Sequence, residues 1–223
     1  MAVQNVLPDP NNNITPSGES SGTGAVAGPG FSKVSVTSNQ PVVMNRSNSG
    51  LAFKSINRYQ EFTVNISYNS LTKAEFNVVY PFLLQRQATL EAFFVELPQY
   101  GNSSAGSKSI TVGSADIDAG VTTLTLGNVN SLLVADMFFI TDPQDDTHVK
   151  TYKITKISGT TVTITPPLQR KIVGTGTISN PGTRQANFGT PKMRVCVMGS
   201  DIQYSVDAKG LYSFSVKLEE NLS

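Results

Sequence analysis

Residues 59–68 have the sequence Tyr-Gln-Glu-Phe-Thr-Val-Asn-Ile-Ser-Tyr, and this stretch decides the fold class. Its side chains alternate, so that Phe62, Val64, Ile66 and Tyr68 fall on one face of an extended chain. Successive side chains of a β-strand point to opposite faces, and the alternation therefore predicts a half-buried strand. Such a strand needs a second layer over its apolar face, and the neighbouring sequence supplies one.

A single helix, near residues 72–87, is predicted directly after this strand. Thr72 and Glu75 have the spacing of a capping box, in which each side chain accepts a hydrogen bond from the other residue's backbone. Pro81 has no N–H to donate, so we expect it to kink or split the helix near Tyr80. The predicted apolar stripe consists of Phe76, Val79, Tyr80, Leu83 and Leu84.

Short segments with strand patterns lie on both sides of this helix. Together they predict a mainly β fold with one flanking helix, in the α+β class. The predicted strands are residues 33–37, 41–45, 90–97, 109–112, 122–126, 137–141, 149–157, 160–165, 192–198, 201–206 and 211–218.

Two segments rich in Gly, Ser and Asn, 101–107 and 174–184, divide the chain as linkers. The strands between them, in residues 108–173, have the turn spacing of a small β-barrel. We therefore predict that 108–173 is a small inserted β domain. Its parent would be a discontinuous β-sandwich or barrel domain made of 31–100 and 185–223. A single domain with a long β excursion is the alternative.

Residues 1–30 are predicted to form an extended polar arm. The segment is rich in Pro, Asn, Gly and Ser and has too few apolar side chains to offset the entropy lost on ordering. Fully extended, it reaches up to about 100 Å, enough to cross a neighbouring subunit. A floppy terminus is the alternative. The interface candidates in the arm are Pro8, Pro10, Asn11, Asn12, Asn13 and Ile14.

The composition argues against several functions. The formal net charge is +1, and Lys, Arg, Asp and Glu make up 15% of the residues. This balance argues against sequence-specific nucleic-acid binding, because contacts to phosphates need many Lys and Arg side chains. The lone Cys196 and lone His148 exclude an internal disulfide framework and paired-His metal sites. No apolar run is long enough for a signal peptide or a membrane span.

Asp142, Asp145 and Asp146 are the one weak candidate for a metal site. Carboxylates are ligands that Ca²⁺ prefers, but the spacing of an EF-hand is missing. Asp beside Pro is also typical of a hairpin turn, and we expect a solvated turn here.

Catalysis has no support in the sequence. The sequence has no G-x-S-x-G nucleophile elbow whose serine His148 could activate as a general base. No Gly-rich segment matches a phosphate-binding loop. Asp116 and Asp118 lie two residues apart in a sequence typical of a loop. Cys196 lies between two valines and is interpreted as a packing residue. We therefore predict a protein that is not an enzyme and has no cofactor.

Four stretches of the sequence, 56–64, 82–87, 93–98 and 212–220, form an ordered set. An aromatic-containing strand leads to an acid-capped helix ending in Phe-Leu-Leu, then to a strand ending in Leu-Pro, and a β strand closes the chain. This order resembles the tail and baseplate proteins of tailed bacteriophages, including distal-tail and tube-adjacent ring proteins.

The resemblance implies a structural component of the virion, assembled in the host cytoplasm. Such proteins form rings, often sixfold, with copies of themselves and with other tail or baseplate proteins. The implied role is to support tail assembly, host attachment and DNA passage, with subunits joined by β contacts and arm exchange. Two alternatives are a carbohydrate-binding or adhesive β module, with Tyr152 and residues 142–146 as contacts, and a capsid-decorating protein.

Overall fold

The protein was analysed as a computed structural model, which describes residues 6–8, 30–56, 60–86, 90–112, 115–142, 148, 150–174, 184–199 and 201–221. These ranges contain fourteen β-strands and one α-helix, which confirms the predicted mainly β fold with a single helix. A 3₁₀ turn, Pro98–Tyr100, follows the fifth strand. The elements, in chain order, are β1 (Lys33–Asn39), β2 (Val42–Arg46), β3 (Ala52–Ile56), β4 (Glu61–Leu71), α1 (Lys73–Gln85), β5 (Phe93–Glu96), β6 (Ser107–Ser109), β7 (Thr123–Thr125), β8 (Met137–Thr141), β9 (Thr151–Ser158), β10 (Thr161–Thr165), β11 (Gln185–Asn187), β12 (Lys192–Val197), β13 (Tyr204–Val206) and β14 (Tyr212–Glu220).

The first sheet has the strand order β1-β4-β14-β12-β5, with β13 paired to β14. All of its strand pairs are antiparallel. The strand predicted from residues 59–68 is β4, and its side chains Phe62, Val64, Ile66 and Tyr68 are buried, as the alternation predicts. The chain's N- and C-terminal parts therefore share one hydrophobic core.

Helix α1 covers this core. Thr72 and Glu75 form the predicted capping box, with the Thr72 N–H donating to Glu75 Oε2 at 2.7 Å. The helix runs unbroken to Gln85, so the predicted split at Pro81 is wrong. One position of the predicted stripe is also wrong, because Leu84 is exposed and Phe82 is buried in its place. Phe82 lies three residues after the buried Val79, on the same helix face, whereas Leu84 lies five after it.

The second sheet has the order β6-β11-β8-β9-β10-β7 and is also antiparallel. Its two ends meet, because Ile110 pairs with Leu126 and the Thr111 N–H donates to the Thr125 carbonyl at 2.9 Å. The sheet therefore closes into a six-stranded barrel, which removes its free edges. A second hydrophobic core, which includes Phe138, Tyr152 and Phe188, fills the barrel.

Two strands were not predicted from the sequence, β3 and β11, and a third, β6, lies at residues 107–109 where the prediction was 109–112. Strand β11, at residues 185–187, pairs with β6 and β8 and so belongs to the barrel. Strand β3 pairs with β2 to form a separate hairpin. The chain therefore leaves the barrel after β11 and not at residue 173.

The two connections between the sheets run side by side at Gly101 and Gly189. A Cβ atom added to Gly101 would lie 2.1 Å from the carbonyl oxygen of Gly189 and 2.9 Å from that of Phe188. The Asn102 N–H donates to the Phe188 carbonyl oxygen at 2.7 Å, next to this contact. The chain thus enters and leaves the barrel at one point.

Candidate assembly surfaces

The β2–β3 hairpin is exposed on both faces. Each residue of β2 is exposed, and Val43 and Phe53 retain 56% and 64% of their accessible surface. The register places Val43 opposite Ser55 and Phe53 opposite Asn45, so these two apolar side chains share a face. The other face carries Met44 with its partner Lys54.

An isolated two-stranded hairpin is marginally stable in water, and its exposed apolar side chains mark an interaction surface. In the described part of the chain, β2 and β3 pair only with each other. The hairpin therefore offers a surface that another chain can cover.

Strand β1 provides a second surface, an open strand edge. Over the described ranges it pairs with β4 alone, so its outer backbone groups face away from the sheet. Val34 and Val36 pack partly on the core while the alternate side chains point outward. Unpaired strand edges are templates for pairing with another chain. Because β1 leads directly into β2, this edge and the hairpin are continuous along the chain.

The opposite edge of the first sheet, strand β5, is occupied by the chain itself. Val6 forms a parallel bridge with Phe94, and the Leu7 N–H donates to the Phe94 carbonyl oxygen at 2.8 Å. Leu7 is 1% exposed and belongs to the first core. Pro8, an interface candidate, is buried here. The other candidates, Pro10, Asn11, Asn12, Asn13 and Ile14, lie outside the described residues.

A buried polar cluster joins the barrel to the first sheet. Lys150, just before β9, forms an ion pair with Glu220 at the end of β14, and its Nζ also donates to the Gln60 carbonyl oxygen at 2.6 Å. The Glu220 carboxylate also accepts hydrogen bonds from the backbone N–H groups of Phe62 and Thr151, both at 3.1 Å. Three separate chain segments, residues 60–62, residues 150–151 and the end of β14, therefore meet at one carboxylate.

Burial dominates the ionisation of this pair. It raises the pKa of Glu220 above its ordinary value, and the attraction of Lys150 and the two N–H donors offset only part of that effect. Burial likewise lowers the pKa of Lys150, against the opposing attraction of Glu220. Each partner is therefore the other's necessary counter-charge, because the protein interior solvates neither.

The side chain of Gln60 extends the same junction. Its amide nitrogen donates to Ser38 Oγ at 2.5 Å, and its amide oxygen accepts from Thr165 Oγ1 at 2.8 Å. Ser38 belongs to β1 and Thr165 to β10, so one side chain connects both sheets. The barrel is thereby held in one orientation against the first sheet.

Of the three candidate metal ligands, the structure describes only Asp142. Asp142 is buried, and its Oδ2 accepts from the Arg184 guanidinium at 3.2 Å. A cation bound to that oxygen would have to compete with Arg184. Asp145 and Asp146 lie outside the described residues. Among the residues that the structure describes, no group of three or more His, Cys, Asp or Glu side chains could hold a metal.

The other chemical candidates have structural partners. His148 is buried and its Nε2 lies 2.9 Å from the hydroxyl of Tyr152, whose pKa is raised by burial. Tyr152 is fully buried and so cannot contact a glycan, contrary to the role given to it in the adhesive alternative. Asp116 accepts from Lys171 at 2.6 Å, which lowers the pKa of the Asp116 carboxyl.

Cys196 lies in β12 with its side chain 5% exposed, and burial raises the pKa of its thiol. A thiol of raised pKa is a weak nucleophile, which fits the packing role predicted for it. Within the described ranges, no helix is long and apolar enough to cross a membrane.

These features define a class: a mainly β protein whose distinctive surfaces are an open strand edge, an exposed hairpin and a strand edge occupied by an N-terminal segment. Residues 21–100 match the family model for the distal tail protein pb9, A domain, N-terminal. The match confirms the predicted resemblance to phage distal tail proteins and supports a structural component of a phage tail. No curated protein matches the chain.

The matched segment extends from the arm to the end of the 3₁₀ turn, and it therefore contains β1–β5, the hairpin and α1. It ends one residue before Gly101, where the chain crosses into the barrel. Sequence reasoning missed the hairpin because β3 was not predicted, and missed Lys150 and Glu220 as partners. Their separation of seventy residues leaves no local signal.

Proposed function

We propose that this protein is a structural subunit of a phage tail, near its distal end or baseplate, that assembles with copies of itself into a ring. The observation that carries the proposal is the exposed apolar hairpin beside an unpaired strand edge, within the segment that matches the distal-tail model. Both surfaces need a partner, and a strand edge is satisfied by main-chain pairing with another β protein.

A ring arises when two different surfaces of one subunit meet and the rotation between copies closes. The open edge of β1, which leads into the hairpin, lies at one side of the first sheet, and the β5 edge lies at the other. This arrangement supports head-to-tail contacts, to which arm exchange adds a further link. We propose a sixfold ring around a channel for DNA, as the resemblance implies, in a virion assembled in the host cytoplasm.

We also propose that the chain is organised as a parent domain with an inserted barrel. The end of the family match at residue 100, the closure of the second sheet and the contact of Gly101 with Gly189 support this division. Strand β11 moves the proposed end of the insert from residue 173 to the vicinity of Gly189. The barrel is then available for contacts with other tail proteins or with the host, and we propose no enzymatic role.

Negative-stain microscopy and mass photometry of the purified full chain test the ring. We expect closed rings of uniform size with a central opening, in equilibrium with the free subunit. A protein that stays monomeric at every concentration, and that is absent from rings in disrupted tails, would overturn the proposal.

A further inference from the structure

The N-terminal segment at residues 6–8 is an anchor of very few contacts. It adds one parallel bridge and one backbone hydrogen bond to the edge of β5, and it places Leu7 in the first core. Nothing in these contacts depends on which copy of the chain supplies the segment. Any copy whose arm reaches the β5 edge makes the same bonds.

The connection between this anchor and β1 is long for the path it covers. Across the sheet, the register aligns Phe94 of β5 with Arg194 of β12 and, on the far side, with Asn39 of β1. Asn39 is the last residue of β1, and the chain enters β1 at the other end, at Lys33. The straight path from Phe94 to Lys33 therefore crosses four strand spacings and runs six residues along β1, which gives a distance of about 28 Å. The 21 residues from 9 to 29 can span at most about 70 Å, at about 3.3 Å each. This length exceeds the path across its own sheet by enough to allow docking on an adjacent copy.

We propose that the edge of β5 is an acceptor for residues 6–8 of a second copy of this chain. In the free subunit the segment docks on its own β5 and covers that edge. In the ring each arm docks on the next subunit, so every arm leaves one edge and every edge receives one arm. The exchange keeps all contacts and adds a buried anchor across each interface. This inference rests on the ring of the proposed function.

Cysteine pairs at Val6 and Phe94 test the exchange. Residues directly paired across strands have Cα separations within the range of a disulfide. One tagged full chain carries Val6→Cys and a second, differently tagged chain carries Phe94→Cys. Both are co-expressed, and the rings are isolated and oxidised. Rings of either single variant are the controls, and the buried Cys196 is present in all of them.

Exchange predicts disulfide-linked dimers that carry both tags, and a covalent ladder up to the full ring when one chain carries both cysteines. Rings in which the doubly substituted chain gives only internally linked monomers would overturn the exchange and leave the ring intact. Rings with no disulfide in any arrangement would overturn it as well. Failure to form rings with the wild-type chain would overturn the proposed function itself.

Discussion

Lys150 and Glu220 form a buried ion pair that joins the barrel to the last strand of the first sheet. Lys150 is 2% exposed and lies immediately before β9, while Glu220 is the final residue of β14. Because the carboxylate also accepts hydrogen bonds from two backbone N–H groups, the pair holds three chain segments together. The relative position of the two sheets depends on these charges being matched.

Replacing Lys150 by Met should destabilise the protein strongly. The substitution leaves Glu220 buried without its counter-charge, and breaking a buried pair in this way costs about 3–5 kcal/mol. Chemical denaturation followed by circular dichroism measures the loss. The double variant Lys150→Met with Glu220→Gln removes both charges and should recover a large part of the stability. A double variant no more stable than the single one would show that the pairing of charge is not the cause.

The Lys150→Met variant should also depend on pH more steeply than the wild type. Without Lys150, burial raises the pKa of Glu220 further above its ordinary value of 4.5. A carboxyl with a raised folded-state pKa favours folding below its unfolded pKa, and this contribution is lost as pH rises through the folded pKa. The variant should therefore approach wild-type stability near pH 4.5 and fall behind it towards neutral pH. Thermal melts across this range test the slope, and parallel wild-type and variant curves would contradict it.

The hairpin should contribute to assembly and little to the stability of the subunit. Val43→Asn combined with Phe53→Asn replaces two exposed apolar side chains on one face. We expect a melting temperature near that of wild type, since exposed substitutions usually change stability by less than about 0.5 kcal/mol. Ring formation in mass photometry should be reduced or lost. Leu133→Asn, at an equally exposed leucine in the barrel, is the matched control and should leave assembly unchanged.

The close approach of Gly101 and Gly189 supplies a matched pair of substitutions. Gly101→Ala places a methyl group 2.1 Å from the Gly189 carbonyl oxygen, and the forced backbone shift should cost about 1–3 kcal/mol. A Cβ at Gly189 meets nothing within 4 Å, and Gly189→Ala should cost less than about 1 kcal/mol. Denaturation midpoints compare the two variants. Equal costs would mean that the close approach of the two connections is not what requires glycine.

Local sequence patterns predicted the elements in which buried and exposed side chains repeat at the period of a strand or a helix. Strand β4 alternates because one face is buried, and α1 begins directly after Thr72, whose capping partner Glu75 lies only three residues further on. Strand β3 was missed because its side chains are exposed on both faces, so burial imposes no period two on Phe53 and its neighbours. Strand β11 has only three residues, too few for any pattern.

The candidate surfaces were predictable only in part. The polar composition of residues 1–30 suggested an arm, but nothing local marks Leu7 as the residue that enters a core formed by strands far along the chain. The order of strands in a sheet determines which edge is left open, and that order depends on pairings between distant residues such as Lys33 and Ser67. Local sequence contains no record of these pairings.

The adjacency of Gly101 and Gly189 has an evolutionary consequence. Because the chain departs and returns at one point, recombination at these two positions can exchange the whole intervening module without altering the order of strands in the first sheet. A replacement module has to supply a cation for the Glu220 carboxylate, or appear together with a neutral residue there. Such an exchange would leave the first sheet, its open strand edge and the hairpin unchanged.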